Sequence, residues 1–451
     1  MRCVRSTGGN RPLSVYVSLH DKIILALASN YLTSMFNWYL RKNILSYRSA
    51  RRFLDKKHHV TDFNDGIELI RRFREGHKDE SIYVADCDIM KFYDTINHNV
   101  VRECFSKMLA AAHLDADGRS QVMRILDAYL NSYNFYQDVQ QKSLRPHFWN
   151  RAKKGDATNR TICKFDWVGE SDFYECYGGE EHFLKERDHI GVPQGGSLSL
   201  MIANVVLNDV DWDVLTPDMR IDEAQDSTAR IEDQNALFIR FCDDMVLMHT
   251  DKTTCKQLMD RYCRSLKDHR LIYHPFTPMA NVKNGASTKS SFWKVKSHEP
   301  FCWRNGEGNA SAWIGFLGYE MHHDGSIRLR KSNCQKIDAK IDRQESIMRR
   351  KLSHEGVRAG EMLKRFEVSQ SVMVNSLKYY TGLENANGNR HFRRQLLRME
   401  QKRKRMVRYV GCRCLNAKCE LDGYTKARLS KEIRKYTSPI YGFNKPVIPK
   451  Y

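Results

Sequence analysis

The sequence predicts an α+β molecule whose last part, residues 331–451, is helical and strongly basic. Three patterns carry that reading. Residues 81–89 alternate in the two-residue period of a strand, and residues 237–248 are apolar on both sides of Cys242, Asp243 and Asp244, as in a hairpin with an acidic tip. Leu198, Met201, Ile202, Val205 and Val206 fall at i, i+3, i+4, i+7 and i+8, the spacing of one helix face. Beyond residue 331, apolar stripes such as Ile337 and Ile341, or Phe366, Val372 and Leu377, alternate with Lys and Arg, as in a bundle with one basic face.

Taken in order, Gly8-Gly9 predicts a tight turn into a strand. Residues 20–40 follow as a core helix, with Ile23, Leu27, Tyr31 and Met35 at helical spacing. A basic stretch at 46–59 leads to a second helix near 62–75. In the strand at 81–89, Asp86 and Asp88 share one face and Asp88 ends the run. Asp94 opens a helix-like segment and reads as its cap. Helices are expected at 100–112 and 120–133. Residues 134–188, aromatic, charged and Gly-rich without a sustained period, read as an insertion. The helix after Gly196 leads to the 237–248 hairpin, whose acidic turn is expected to face Asp88. A helix at 252–267, a loop-like stretch at 275–308 and a hairpin at 311–330 turning at Asp324-Gly325 complete the front. The expected division is therefore 1–80, 81–330 and 331–451.

The net charge of +20 implies a polyanionic partner, nucleic acid or an acidic membrane surface. Residues 331–451 hold 29 Lys and Arg against 11 Asp and Glu, so 18 of the 20 net charges lie there. That asymmetry suits a C-terminal module gripping a phosphate backbone while the front does chemistry. Thirteen scattered cysteines read as reduced thiols of a cytoplasmic protein. Cys412, Cys414 and Cys419 are too irregularly spaced for a zinc site and read as small side chains near a helix end. The N-terminal residues have no apolar core of a secretory signal, and the apolar run at 23–40 is broken by Asn30, Thr33, Ser34 and Asn37, so no membrane span is expected.

Two carboxylate clusters, Asp88 in VADCDIMKFYD and Asp243-Asp244 in IRFCDDMVLM, flank the Gly-rich segment GVPQGGSLS at 191–199. Joining a 3′-hydroxyl to an α-phosphate uses two divalent cations roughly 3.5–4 Å apart, one activating the hydroxyl and one holding pyrophosphate. Mg²⁺, with Mn²⁺ as its substitute, prefers such carboxylates. Singly, a strand-terminal Asp is more often a cap, and PQGG a plain turn.

Together, in this order, the motifs resemble reverse transcriptases. DIMKFYD (88–94) is similar to the family's first catalytic motif, GVPQGGSLS to its second, FCDD (241–244) to its third, and FLGY (316–319) to its primer-grip hairpin. Upstream, GGNRPLSVYVSLHDKIILAL and SYRSARR resemble fingers motifs of group II intron and other bacterial members. The resemblance implies a right-hand polymerase, with α+β fingers and palm and an all-α basic thumb. Asp88, Asp243 and Asp244 would be the catalytic metal ligands. Arg11 would neutralise the incoming triphosphate, Gln194 and Gly195 would contact the nucleotide, and Tyr93 would be the steric gate that selects dNTPs. The sequence departs from the family at Phe241, where Tyr is usual, at Cys242 for Ala and at Leu200 for Pro; these alter packing and leave the metal ligands intact. Lys283 and Lys289 are candidates for protonating pyrophosphate.

Residues 289–303, with WIGFLGYE and DGSIRLRKS after them, resemble stand-alone bacterial reverse transcriptases, several of them antiphage defence systems. That implies a dedicated non-coding RNA as template and a DNA product. A group II intron-like mobile-element enzyme, an RNA-dependent RNA polymerase and a non-catalytic RNA-binding scaffold are the alternatives. Intact Asp88, Asp243 and Asp244 argue against the scaffold. In the basic module, residues 391–409 carry Arg393, Arg394, Lys402, Arg403, Lys404 and Arg405 against one acid, Glu400, and are expected to track RNA.

Overall fold

The strand expected around Asp88 forms as β3 (Tyr83–Cys87) and sits in the middle of a five-stranded sheet. A computed structural model describes residues 2–6, 9–13, 18–37, 39–41, 43–46, 63–133, 189–214, 235–284, 295–353, 359–378, 390–416 and 421–438. The expected insertion at 134–188 lies outside the described residues. The chain divides into two units, Met1–Ala312 and Trp313–Tyr451.

In the first unit, β1 (Arg2–Ser6) and β2 (Gly9–Leu13) pair as an antiparallel ribbon. Helix α1 (Leu19–Phe36) starts at a capping box in which Ser18 and Asp21 each accept the other's backbone N–H. Its burial corrects the sequence reading. Ile23, Leu27 and Tyr31 face outward, while Leu32 and Phe36 are buried, with Leu25, Ala28 and Met35 against the core. The inward face follows 25, 28, 32 and 35, rotated from the stripe of Ile23, Leu27 and Tyr31.

Helix α2 (Phe63–Gly76) precedes β3. After β3 come the short α3 (Phe92–Thr95), α4 (His98–Ala111), α5 (Ala116–Tyr133) and α6 (Ser199–Val214). The predicted hairpin forms as β4 (Ala236–Phe241) and β5 (Asp244–His249), followed by α7 (Lys252–Asp268). Both faces of α6 are apolar, so it is buried nearly all round, in one cluster with Val101 and Phe105 of α4, Tyr262 and Leu266 of α7, and Ala85, Phe238 and Leu247 of the sheet. The Phe36–Phe105 and Phe238–Tyr262 ring pairs meet edge to face at 5.6 and 5.9 Å.

The loop-like reading of 275–308 is corrected by β6 (Phe276–Thr277), α8 (Met279–Asn284) and β7 (Ser297–Cys302), which complete the sheet in the order β4-β5-β3-β7-β6. Strand β7 carries Pro300 and pairs with β3 at a register shift between Val84 and Asp86, where a ladder bond is dispensable.

The second unit opens with β8 (Trp313–Phe316), β9 (Tyr319–His322) and β10 (Ile327–Leu329), a three-strand meander where one hairpin was expected. The extra reversal is the FLGY segment, where Leu317 and Gly318 both take positive φ, 48° and 87°. Among the described residues, four helices follow: α9 (Lys331–Ser353), α10 (Ala359–Lys378), α11 (Arg390–Asn416) and α12 (Gly423–Thr437). Gln395 of α11 accepts the Leu329 N–H and donates to its carbonyl, closing the β10 edge. Gly411 lets α11 and α12 approach, since a Cβ there would meet Ile433 at 2.5 Å. Among the described residues, no helix is long and apolar enough to cross a membrane.

Candidate active site

Asp88 follows the last residue of β3, and the antiparallel pairing sets Cys87 opposite Met245, the residue after Asp244. The acidic β4–β5 turn therefore stands at the Asp88 end of the sheet, as the sequence predicts. The Asp88 side chain is 17 % exposed, and its Oδ2 lies 2.7 Å from Lys296 Nζ and 4.0 Å from His274 Nε2. Its backbone N–H donates to Ser297 Oγ at 3.1 Å, and its carbonyl accepts from the His274 N–H. Asp243 is half-buried and Asp244 exposed. Burial, and then the negative charge of Asp88, push the Asp243 carboxyl above its usual 3.8. The two carboxylates are thus close enough to repel.

The turn is held from behind. Arg240 and Asp211 form a buried ion pair, both side chains 0 % exposed, with Nη2 to Oδ2 at 2.8 Å. Arg240 Nη1 also donates to the Cys242 carbonyl at 2.9 Å. Cys242 has φ of 57°, a costly conformation for a residue with a side chain, and its N–H is received by Ser46 Oγ at 2.9 Å. Ser46 in turn donates to Asn204, whose amide donates to the Ser46 carbonyl. Asn43 accepts the Arg240 N–H and donates to Asp211 from its side chain. Residues 43–46 thus lie along β4 as a short parallel edge.

The Gly191–Ser199 segment is bonded onto the turn that follows Asp88. The Val192 N–H donates to the Tyr93 carbonyl at 2.7 Å and the Gly191 N–H to Ile96 at 2.8 Å. This brings Gln194 and Gly195 beside the Tyr93 turn. Tyr93 is half-buried against the core, 5.2 Å from the Phe92 ring. Gly195 has φ of 77° and is exposed, so its lack of a side chain is conformational. Gly196 is a packing requirement, because a Cβ there would collide with the Tyr129 hydroxyl. That hydroxyl bonds Ser199 Oγ, which donates to the Pro193 carbonyl.

Two sequence readings are corrected. Asp94 is not a cap: it lies inside α3, buried, and Lys91 in the left-handed region precedes the helix. Arg403 does not face solvent. It is 0 % exposed and its Nη1 donates to the Tyr436 carbonyl at 2.6 Å. Position 403 continues the inward stripe Phe392, Leu396, Met399, Val407, Val410 and Cys414 of α11, so helical geometry turns it toward α12. Arg394 and Arg405 are exposed and Arg393 is half-buried. Lys402 pairs with Asp342 at 3.0 Å and Lys404 with the buried Glu400 at 2.9 Å.

Asp86 is tied across the sheet to His298. Arg11 lies on β2 opposite Val4. Lys283 is on α8, and Lys289 lies outside the described residues, as does Cys419. Cys412 is exposed and Cys414 buried. Lys296, Arg240, Asp211, Asn43, Ser46 and Asn204 were missed. The signal for two of them was legible: Arg240 is a charge within an apolar strand, and Asp211 a charge within an apolar helix.

Asp88 and the Asp243-Asp244 turn offer carboxylate oxygens, with the Lys296 ammonium on Asp88 and the His274 ring 4.0 Å from it. Hard divalent cations suit that donor set, and their charge would relieve the Asp88–Asp243 repulsion. Among the described residues, Cys104, Asp209 and His269 form a separate group whose ligand atoms lie within 4.8 Å of one another.

No family model matches the chain, and no curated protein does. Solved structures that resemble it include apo telomerase from Candida tropicalis, at 12 % identity and TM-score 0.41, covering 94 % of this chain and 54 % of that one. Telomerase from Candida albicans with a telomeric RNA fragment matches at 11 % identity and TM-score 0.34, covering 93 % of this chain and 54 % of that one. The Candida tropicalis enzyme with such a fragment matches at 13 % and 0.38, covering 97 % and 64 %. The chain thus spans somewhat over half the length of these telomerases, and similarity at this level carries no argument about fold or function.

Proposed function

We propose that this chain is an RNA-directed DNA polymerase that joins deoxynucleotides at the carboxylates beside β3. The observation that supports it most is the convergence of Asp88 with the Asp243-Asp244 turn, close enough for one charge to shift the other, beside the Gly191–Ser199 segment bonded to the Tyr93 turn. Asp88, Asp243 and Asp244 would hold two Mg²⁺ ions, which when bound lower the pKa of the attacking hydroxyl and hold the pyrophosphate.

The chain's own groups do the rest. Lys296 balances Asp88, and the Arg240–Asp211 pair keeps the Cys242 carbonyl, and with it the acidic turn, in place. Arg11 neutralises the triphosphate, Gln194 and Gly195 lie against the nascent base pair, and Tyr93 excludes a ribose 2′-hydroxyl. In this reading residues 1–80 are fingers, 81–330 palm and 331–451 a basic thumb, with Arg393, Arg394, Lys402, Lys404 and Arg405 on the RNA backbone. Copying a dedicated non-coding RNA in bacterial antiphage defence is the finer part of the proposal, supported by the resemblance of residues 289–332 alone.

The test supplies purified protein and its co-purified RNA with Mg²⁺ and labelled dNTPs or NTPs. DNA synthesis that ceases on RNase treatment of the template supports the reading. Incorporation of NTPs alone would make the chain an RNA polymerase, and incorporation of neither would favour a scaffold. Tyr93→Ala should admit NTPs beside dNTPs.

A further inference from the structure

A second set of side chains gathers where α4, α6 and the end of α7 meet. Cys104 Sγ lies 3.8 Å from Asp209 Oδ2, and His269 Nε2 lies 3.0 Å from the same oxygen. We propose that Cys104, Asp209 and His269 form a binding site for a zinc-class divalent transition metal, braced by three separate helices and unrelated to the Mg²⁺ carboxylates.

The spacing supports it. Zinc bond lengths of about 2.0–2.3 Å to N, O and S put the edges of a ligand tetrahedron at roughly 3.3–3.7 Å. The two edges to Asp209, 3.0 and 3.8 Å, bracket that range, and all three ligand atoms lie within 4.8 Å of one another. The donor set is specific in kind: thiol and imidazole select zinc, cobalt and their neighbours over Mg²⁺ or Ca²⁺. His269 is already oriented. Its Nδ1 stands 2.7 Å from the Ser265 carbonyl, which takes the ring proton on that side, so the nitrogen turned to the cluster is Nε2, whose proton, given to Asp209 in the absence of metal, a metal ion would displace. Asp209 supplies the negative charge, its Oδ2 standing 3.0 Å from His269 Nε2 and 2.8 Å from the Lys107 ammonium.

Lys107 is the internal competitor. Its ammonium stands 2.8 Å from Asp209 Oδ2 and 3.1 Å from Glu103 Oε1, at the oxygen a metal would use. The side chain is 55 % exposed and can swing to solvent. Three protein ligands leave the fourth position to water.

The test strips the full chain with a chelator under reducing conditions and titrates Co²⁺, whose thiolate charge-transfer absorption reports sulfur ligation. Zn²⁺ competition then follows. The proposal expects one equivalent whose absorption disappears in Cys104→Ala, at least about hundredfold weaker uptake in His269→Ala, and unchanged uptake in Cys412→Ala. Lys107→Met should bind more tightly than the parent, a gain that misfolding cannot mimic. No stoichiometric uptake, absorption that survives Cys104→Ala, or weaker binding by Lys107→Met would each overturn it and leave an ion triad only.

Discussion

Replacing Arg240 by Met tests how the acidic turn is held. Both Arg240 and Asp211 are fully buried, and the substitution removes three hydrogen bonds to Asp211, at 2.8, 3.0 and 3.2 Å, and the one to the Cys242 carbonyl. Asp211 keeps the Asn43 amide, and its carboxylate stays fully buried. Breaking a buried pair from one side costs about 3–5 kcal/mol, a large share of the roughly 5–15 kcal/mol that holds a domain together. With a urea dependence of about 2 kcal/mol per molar, the midpoint should fall by about 2 M, read by circular dichroism. The deficit should depend on pH. Burial already raises the Asp211 carboxyl above its usual 3.8, outweighing Arg240. A carboxyl raised in the folded state binds more protons folded than unfolded, so stability falls as pH rises from the unfolded value through the folded one. Loss of Arg240 extends that window upward, and the Arg240→Met deficit should be smallest near pH about 4 and grow toward neutrality. Adding Asp211→Leu should recover most of the loss, with a coupling of at least about 2 kcal/mol. A single-variant loss under about 1 kcal/mol, or no recovery in the double variant, would refute the reasoning.

Ser46→Ala leaves the Cys242 N–H without its acceptor and should cost about 1–3 kcal/mol in thermal or urea unfolding, with activity lowered as well. Gly196→Ala drives a methyl into the Tyr129 hydroxyl and should cost about 1–3 kcal/mol, part of which Tyr129→Phe returns. The thumb reading separates two arginines: Arg405→Gln should lower the slope of log affinity for RNA against log salt by about one and leave stability unchanged. Arg403→Met should lower the unfolding temperature and leave that slope unchanged, because Arg403 is buried against the Tyr436 carbonyl.

Much of the site was legible because its chemistry is local. The alternation of 81–89 and the apolar flanks of Asp243-Asp244 place both carboxylates at one end of one sheet. What escaped depends on partners far away in the chain. β7 reads as a loop because the Gly, Asn and Ser of 275–308 surround it, and its pairing with β3, across a register shift, is a long-range contact that no local pattern reveals. Likewise, Ser46 and Asn204 gain their roles only when α6 and residues 43–46 meet behind the turn. The outward stripe of α1 shows the same limit, since helical period alone does not say which of two apolar faces is covered. The burial of Arg403 is legible in the sequence, because it sits in register with Phe392, Leu396, Met399, Val407 and Val410, and register, not charge, decides which way a helical side chain faces.

The central claim is that Asp88, Asp243 and Asp244 hold the cations of a DNA-synthesising site. It is tested most directly by Mg²⁺-dependent dNTP incorporation on an RNA template, comparing the parent with Asp243→Ala/Asp244→Ala at matched unfolding midpoints. The account predicts loss of at least about a thousandfold in the variant, several kcal/mol of transition-state stabilisation. Incorporation by the folded variant at the parent's rate would contradict it.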